Sequence, residues 1–276
     1  MSAARLQNTP EAGPNAFPVR PYQPSSSQWP YNDAKDFSRH DENDDNIFYL
    51  EPRFVEHIDE AAIDRLTRYY QSVLPSTGRV LDLCTSWKSF YPGACEDAVR
   101  NEKLDVYGIG LNKEEMVANP LLCDFPERRI QLNLNQEPQD IKAAWSDREP
   151  PKFDTVTCVV SIDYISRPLQ VLRSIRERTN DGGSIHLVVS NRCFPTKVVK
   201  LWLEYDEQQR LQLVGDYLHF SGWKDVEIVD LCARDADGKR ITDDHGTFLS
   251  GMKVLGYTIS AQHLDPLWVV RGTKRE

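Results

Sequence analysis

The stretch FDTVTCVVSIDYISRPLQVLRSIRERTNDGGSIHLVVSNR, residues Phe153 to Arg192, carries a complete strand–helix–turn–strand pattern. Phe153 to Ile165 is β-branched and nearly continuously apolar, as a strand buried on both faces is. Pro168 suits a helix start, where its missing N–H is no loss. Leu169, Leu172 and Ile175 then recur at helical spacing. Asp181, Gly182 and Gly183 read as the turn into a further strand, Ser184 to Ser190. Strands joined through a helix run parallel, so this stretch alone implies a parallel sheet covered by helices.

The same alternation extends both ways. Upstream, Val55 to Leu74 places Ile58, Ala62, Leu66, Tyr69 and Val73 on one helical face. Val80 to Cys84, Asp105 to Ile109 and Arg129 to Asn135 read as strands. Downstream, Lys197 to Phe220 is helical in pattern, with Val199, Trp202, Leu211, Val214 and Leu218. Val226 to Leu231 and Leu267 to Arg271 read as the last strands. Ala233 to about His263 is polar, although Phe248, Met252 and Tyr257 suggest that part of it packs down. Residues 1–46 read as a disordered or loosely ordered tail, rich in proline and ending in the polar run DENDDN, with too few apolar residues to offset the entropy of ordering, although its end, with Tyr31 and Phe37, has the aromatics to drape over the domain. Residues 47–276 read as the folded domain.

A net charge of -9 over 276 residues makes a poor footprint for nucleic acid or an anionic membrane. Six cysteines, Cys84, Cys95, Cys123, Cys158, Cys193 and Cys232, include no CxxC pair, and no histidines stand at zinc spacing. No metal is therefore expected. No apolar run approaches the length of a membrane span and no secretory signal is visible, so an intracellular, cytoplasmic setting is expected. GIGLNK follows the second strand and has Lys113 where a dinucleotide fingerprint needs its third glycine, which argues against a nicotinamide oxidoreductase. Neither a phosphate-binding GKS/T loop nor a G-x-S-x-G elbow is present.

In doubly wound sheets ligands sit beyond the carboxyl ends of the strands, so the residues following each strand are the candidates for chemistry. They are Cys84, Thr85, Ser86 and Trp87 after the first; Gly108, Gly110, Leu111 and Asn112 around the end of the second; Asn133 and Leu134 after the third; Ser161, Asp163 and Tyr164 after the fourth; and Asn191 and Arg192 after the fifth.

In this order VLDL, VYGIGLNKEEM, the long stretch quoted above and the closing DPLWVVRG resemble a class I S-adenosylmethionine-dependent methyltransferase of the type 11-like kind, over about Asp59 to Gly272. The resemblance implies a Rossmann-like doubly wound sheet of about seven strands, mainly parallel with an antiparallel last strand and helices on both faces. It implies S-adenosylmethionine as cofactor and methyl transfer to an oxygen or nitrogen of a small molecule. In that family the first strand ends in an acid followed by a glycine-rich turn. Asp82 matches the acid, but Cys84, Thr85 and Ser86 replace the glycines, so the resemblance implies that hydroxyls would face the cofactor's carboxylate and Trp87 would wall the pocket. The second-strand acid that accepts the ribose hydroxyls is replaced by Gly110, with Asn112 nearest. Asn133 stands for the acid that accepts the adenine amino group, and an amide oxygen can do the same.

A general base is needed only where the acceptor must lose a proton; the candidates are His57, Asp163 and Tyr164. Asn191 and Arg192 are expected to orient the substrate, and the resemblance implies an acceptor pocket built from Phe54 to His57, the loop Asn191 to Lys197 and the stretch Asp235 to Met252. Blander roles stand beside these: Asp82 bonded to nearby backbone, Asn112 and Asn133 as caps, and Asp163 as a helix-entry acid. A member with the fold but no turnover would instead serve as a binding or regulatory partner of another protein.

Overall fold

The computed structural model describes residues 17–145, 149–235, 237–241 and 264–276. One sheet of eight strands organises it: β1 (Val19–Pro21), β2 (Gly78–Leu83), β3 (Leu104–Gly110), β4 (Arg129–Gln131), β5 (Phe153–Val159), β6 (Thr179–Ser190), β7 (Lys224–Asp230) and β8 (Leu267–Thr273). The order across the sheet is β1-β7-β8-β6-β5-β2-β3-β4. β2 pairs parallel with both β3 and β5, β3 with β4, and β5 with β6. β8 lies antiparallel between β6 and β7. From β2 the chain winds outward through β3 and β4, then crosses back to β5 and winds the other way. The switch point therefore lies between β2 and β5. This is the doubly wound sheet with an antiparallel last strand that the resemblance implies.

Among the described residues eight α-helices accompany it: α1 (Asp33–Asp36), α2 (Asp45–Phe48), α3 (Glu60–Val73), α4 (Gly93–Arg100), α5 (Lys113–Ala118), α6 (Pro168–Glu177), α7 (Lys200–Glu204) and α8 (Glu207–Phe220). Alternation along the strands divides the core in two. Val80, Val188 and Val269 pack towards α3 and α4, with Leu66, Tyr70 and Val99. Leu81, Leu187 and Val270 pack towards α6 and α8, with Leu172, Ile175 and Leu218.

Several sequence boundaries shift, each for a local reason. The first long helix begins at Glu60, because the Asp59 side chain caps it by accepting from the Ala62 N–H. The third strand is only Arg129–Gln131. The fourth stops at Val159, and Ile162–Tyr164 form a 3₁₀ turn. The segment expected as one helix over Lys197 to Phe220 is two, because Asp206 starts a new helix with a reciprocal capping box to Gln209. Asp181, Gly182 and Gly183 do not turn into β6; they lie within its irregular first half, where the register with β5 shifts.

The largest correction concerns residues 17–46, expected as a loose tail. β1 adds to the sheet edge antiparallel to β7. Tyr22 donates to Asp216 on α8, and Tyr31 donates to the other oxygen of the same carboxylate at 2.6 Å. Asp216 is fully buried, so the two phenols supply what its desolvated charge needs. Gly215 is required beside it, since a Cβ there would overlap the Tyr22 ring. Trp29, Tyr31 and Phe37 form an aromatic cluster with Tyr217. From Arg39 the chain crosses towards the carboxyl ends of the strands and reaches α3 at Glu60. Residues 39–58 are called the strap below. The expected packing of Phe248, Met252 and Tyr257 lies outside the described residues.

Candidate functional site

A cavity of about 760 Å³ opens at the switch point, bounded by the turns after β2, β3, β4, β5 and β6 and covered by the strap. That is a volume suited to a nucleoside-sized ligand with a small partner.

Its floor begins at Asp82. The side chain lies on the α3/α4 face and is 3 % exposed. Ser89 Oγ donates to Oδ2 at 2.7 Å and Thr157 Oγ1 to Oδ1 at 2.9 Å. The Thr157 hydroxyl has thus used its proton, so Tyr91, 2.6 Å away, must donate to it. Asn119 Nδ2 donates to Ser89 Oγ. Burial pushes the Asp82 carboxyl up to about 6, against the hydrogen bonds that lower it. Asp82 is the hub of an internal network that ties β2, β5 and the turn together.

The turn itself keeps the shape of a glycine turn without the glycine: Cys84 takes φ 54°, in the left-handed region. Thr85 then leans over β3. Its N–H donates to Ile109 O at 2.8 Å and its hydroxyl to Asp82 O at 2.6 Å. This explains a second departure. A Cβ on Gly110 would overlap the Thr85 carbonyl, so no acid can stand at 110 while this turn does. The two departures from the family pattern are one steric unit. Gly108 belongs to it too, facing Leu122 and Thr85 rather than the cavity.

A carboxylate returns one helical turn later. Glu115, which sequence reading missed, lines the cavity and is nearly buried. Ser86 Oγ donates to Oε2 at 2.6 Å and the Arg53 backbone N–H to Oε1 at 2.7 Å. Asn112 positions it by capping α5 through the Glu115 N–H, while its own amide donates to Tyr49 O and Leu50 O at 3.0 Å. Asn112 is thus a cap and an anchor for the strap, with little capacity left for a ribose. The Asn-x-x-Glu spacing, an N-cap with an acid at the third helical position, was the available signal.

Asn133 and Leu134 line the cavity, yet the Asn133 oxygen accepts from the Asn135 N–H at 2.9 Å and its amide donates to Asp44 at 3.3 Å. Ser161 donates to Val159 O. Its neighbour Val160 holds φ 40°, a strained conformation for a β-branched residue at the rim of the site. Trp87 walls the mouth, donating to Val55 O at 3.3 Å and standing edge-on to Phe54. Leu111 is also in the wall.

The expected catalytic residues separate. His57 lines the cavity, its ring edge-on to Phe194 with centroids 5.3 Å apart. Desolvation lowers its pKa below 6.5; nearby Glu115 opposes this and Arg53 adds to it. Tyr164 also lines the cavity and accepts the Phe194 N–H on its hydroxyl at 2.7 Å. Burial holds that phenol far above its ordinary value, so it is a donor rather than a base. Asp163 is not in the cavity wall; it is 2 % exposed, Oδ2 has no partner among the described residues, and burial pushes it up to about 8. Asn191 does not line the cavity either, and Arg192 lines it while donating to Asp265 at 2.7 Å. Burial pushes Cys193 up to about 11, which keeps it a thiol at neutral pH. Most of the acceptor region expected at residues 235–252 lies outside the described residues.

The strap is held by buried charge. Arg39 Nη1 donates to both oxygens of Asp45 at 2.8 Å. Lys197, fully buried, lies 3.2 Å from Asp45 and 3.1 Å from Asp41 and donates to Asn43 O at 2.7 Å. Asn135 adds a bond from the β4 turn to Asp45 at 2.8 Å.

No protein-family model and no curated protein matches the chain. Among solved structures, a phosphoethanolamine N-methyltransferase 2 of Haemonchus contortus, in complex with S-adenosyl-L-methionine, is similar at 18 % identity over 77 % of this chain and 52 % of that one, with a TM-score of 0.45. The chain therefore spans about half the length of that relative. A SAM-dependent methyltransferase from Archaeoglobus fulgidus is similar at 14 % identity over 83 % and 98 %, with a TM-score of 0.49. The [4+2]-cyclase SpnF is similar at 15 % identity over 77 % and 81 %, with a TM-score of 0.46. Among the described residues no helix is long and apolar enough to cross a membrane, and no group of His, Cys, Asp or Glu is arranged to hold a metal ion.

Proposed function

We propose that this chain transfers a methyl group from S-adenosylmethionine to an oxygen or nitrogen of a small molecule. The carrying observation is the 760 Å³ cavity at the switch point, bounded by the turns after five successive parallel strands. The ordered phrases of the sequence that resemble class I methyltransferases support the same reading.

The donor set fits such a cofactor at a different place from the family pattern. A carboxylate offers about four acceptor sites, and Glu115 has used only two of them, on Ser86 and Arg53. Glu115 would accept the ribose hydroxyls, and Leu111 and Leu134 would flank the adenine. Bound S-adenosylmethionine supplies an electrophilic methyl group. The protein has only to align the acceptor and exclude water, which the strap serves. His57, kept neutral at pH 7 by its lowered pKa, takes the proton of an acceptor that must lose one. Tyr164 donates a hydrogen bond.

A reading without turnover has one observation behind it: both oxygens of Asp82, which stands at the family's acid position, accept from buried protein hydroxyls, those of Ser89 and Thr157. Calorimetric titration with S-adenosylmethionine and S-adenosylhomocysteine separates the two. Saturable binding is expected; no heat and no thermal shift at millimolar nucleoside would sink the methyl-transfer reading and leave a binding or regulatory role.

A further inference from the structure

The cations that line the cavity are not equivalent. Arg39 faces Asp45, Lys88 faces Glu56, Arg192 faces Asp265 and Lys197 faces Asp41 and Asp45. Arg53 lines the same cavity, and its guanidinium has no carboxylate partner among the described residues. Its faces are occupied: the guanidinium carbon lies 4.4 Å from the Phe48 ring centre, 5.5 Å from Tyr49 and 5.3 Å from Phe194. Its edge is not. Nη2 donates to Phe48 O at 2.9 Å, while Nη1 is buried with no hydrogen-bond partner.

Such an N–H group carries its full desolvation cost with nothing to offset it. Aromatic faces fix the plane of the guanidinium, and that leaves the edge N–H groups not spent on Phe48 O as the recognition element. A fork of this kind matches a planar oxyanion in two parallel hydrogen bonds. The backbone N–H of Arg53 is meanwhile fixed on Glu115 at 2.7 Å, so the residue is held at the junction of strap and floor. His57 lies close enough for Arg53 to lower its pKa.

We infer that Arg53 binds the carboxylate of the ligand that occupies this cavity. The inference rests on the methyl-transfer reading for what that ligand is. The carboxylate belongs either to the amino-acid part of the cofactor or to an acidic acceptor molecule, and the experiment distinguishes them.

The full chain and its Arg53→Gln variant are titrated with S-adenosylhomocysteine and with 5′-methylthioadenosine, which lacks the amino-acid part. Binding of 4-fluorobenzoate and of neutral 4-fluorobenzamide is followed by fluorine NMR, with and without saturating S-adenosylhomocysteine. If the carboxylate is the cofactor's, Arg53→Gln weakens S-adenosylhomocysteine about tenfold or more and leaves methylthioadenosine unchanged. If it is the acceptor's, both nucleosides are unchanged, and the loaded wild type binds fluorobenzoate but not the amide, a preference that Arg53→Gln abolishes. Arg53→Lys, which keeps the charge without the fork, should recover only part of either effect. The inference is overturned if Arg53→Gln changes neither S-adenosylhomocysteine nor fluorobenzoate binding, or if it weakens methylthioadenosine in parallel with S-adenosylhomocysteine. A wild type that binds neither nucleoside sinks the methyl-transfer reading instead. The fluorobenzoate arm on the unloaded chain then judges Arg53 alone: preference over the amide, lost in Arg53→Gln, upholds it, and no preference overturns it.

Discussion

The floor and the roof of the cavity handle polarity in opposite ways. On the floor, Asp82, Thr85 and Asn133 spend their hydrogen bonds on neighbouring protein groups. The strap overhead brings groups with capacity left: Arg53 with an unpartnered nitrogen, and His57 without a hydrogen-bond partner among the described residues. Glu115 lies at the seam and receives one donor from each side, Ser86 and Arg53. A floor whose groups are bonded to one another holds shape; unsatisfied groups are where a ligand finds recognition. The residues most like a sequence motif are therefore not those best able to meet a ligand.

The strongest test of this contrast is to detach the roof. Asp45→Ala leaves Lys197 and Arg39 buried without the carboxylate between them. Breaking a buried pair from one side costs ~3–5 kcal/mol, and chemical denaturation should show a loss of that size. A loss below about 1 kcal/mol, the range of an exposed pair, would mean that the strap is held by something else.

Next in size is the pH dependence due to Asp163, beneath the floor. Its folded pKa of about 8 is raised above the ordinary 3.8. The unfolded chain therefore releases this proton near pH 4 while the folded chain retains it. The contribution is fully favourable below pH 4 and is lost as pH rises towards 8. Asp163→Asn removes the loss. The variant should gain on the wild type between pH 4 and 8, by on the order of a few kcal/mol, and level off above. A stability difference that does not vary with pH would place the proton elsewhere.

The steric unit in the floor should give about 2 kcal/mol. Gly110→Ala drives a methyl into the Thr85 carbonyl, and thermal unfolding should fall accordingly. An unchanged midpoint would show that the turn shifts freely, and the explanation offered for the missing acid would fail.

How much of this was legible in the sequence follows the range of the forces involved. β5 and α6 were readable because β-branched runs and helical spacing are local signals, and Pro168 does start its helix. Strand ends were less so: β4 stops at Gln131 although the alternation runs on to Asn135. The first part of the strap, residues 39–46, was misread because DENDDN has no periodicity and few apolar residues. What orders it is the buried bonding of Asp45 to Arg39, Lys197 and Asn135, and two of those three partners are far along the chain. Tyr22 and Tyr31 are fixed in the same way by Asp216. In the site, the missing glycines and the missing second-strand acid looked like two losses. Only the contact of Gly110 with Thr85 shows that one entails the other.

The smallest effect discriminates most directly between floor and seam. Asp82→Asn and Glu115→Gln each remove one negative charge with little change in shape. If Asp82 were the cofactor's anchor, its replacement would weaken S-adenosylhomocysteine while Glu115→Gln would not. The geometry requires the reverse. Glu115 also accepts one donor on each oxygen, but the Asp82 donors, Ser89 and Thr157, are themselves buried in the floor, so the loss of Asp82 should appear in stability, with affinity held within about twofold. Glu115 has acceptor capacity towards the cavity, and an amide keeps only one acceptor oxygen. Its replacement should weaken the nucleoside about tenfold, the worth of one hydrogen bond to a charged group. Methylthioadenosine should follow S-adenosylhomocysteine in this variant, because the hydroxyls in question belong to the ribose that both carry. An equal response of the two carboxylates would erase the distinction between buried floor and receptive seam.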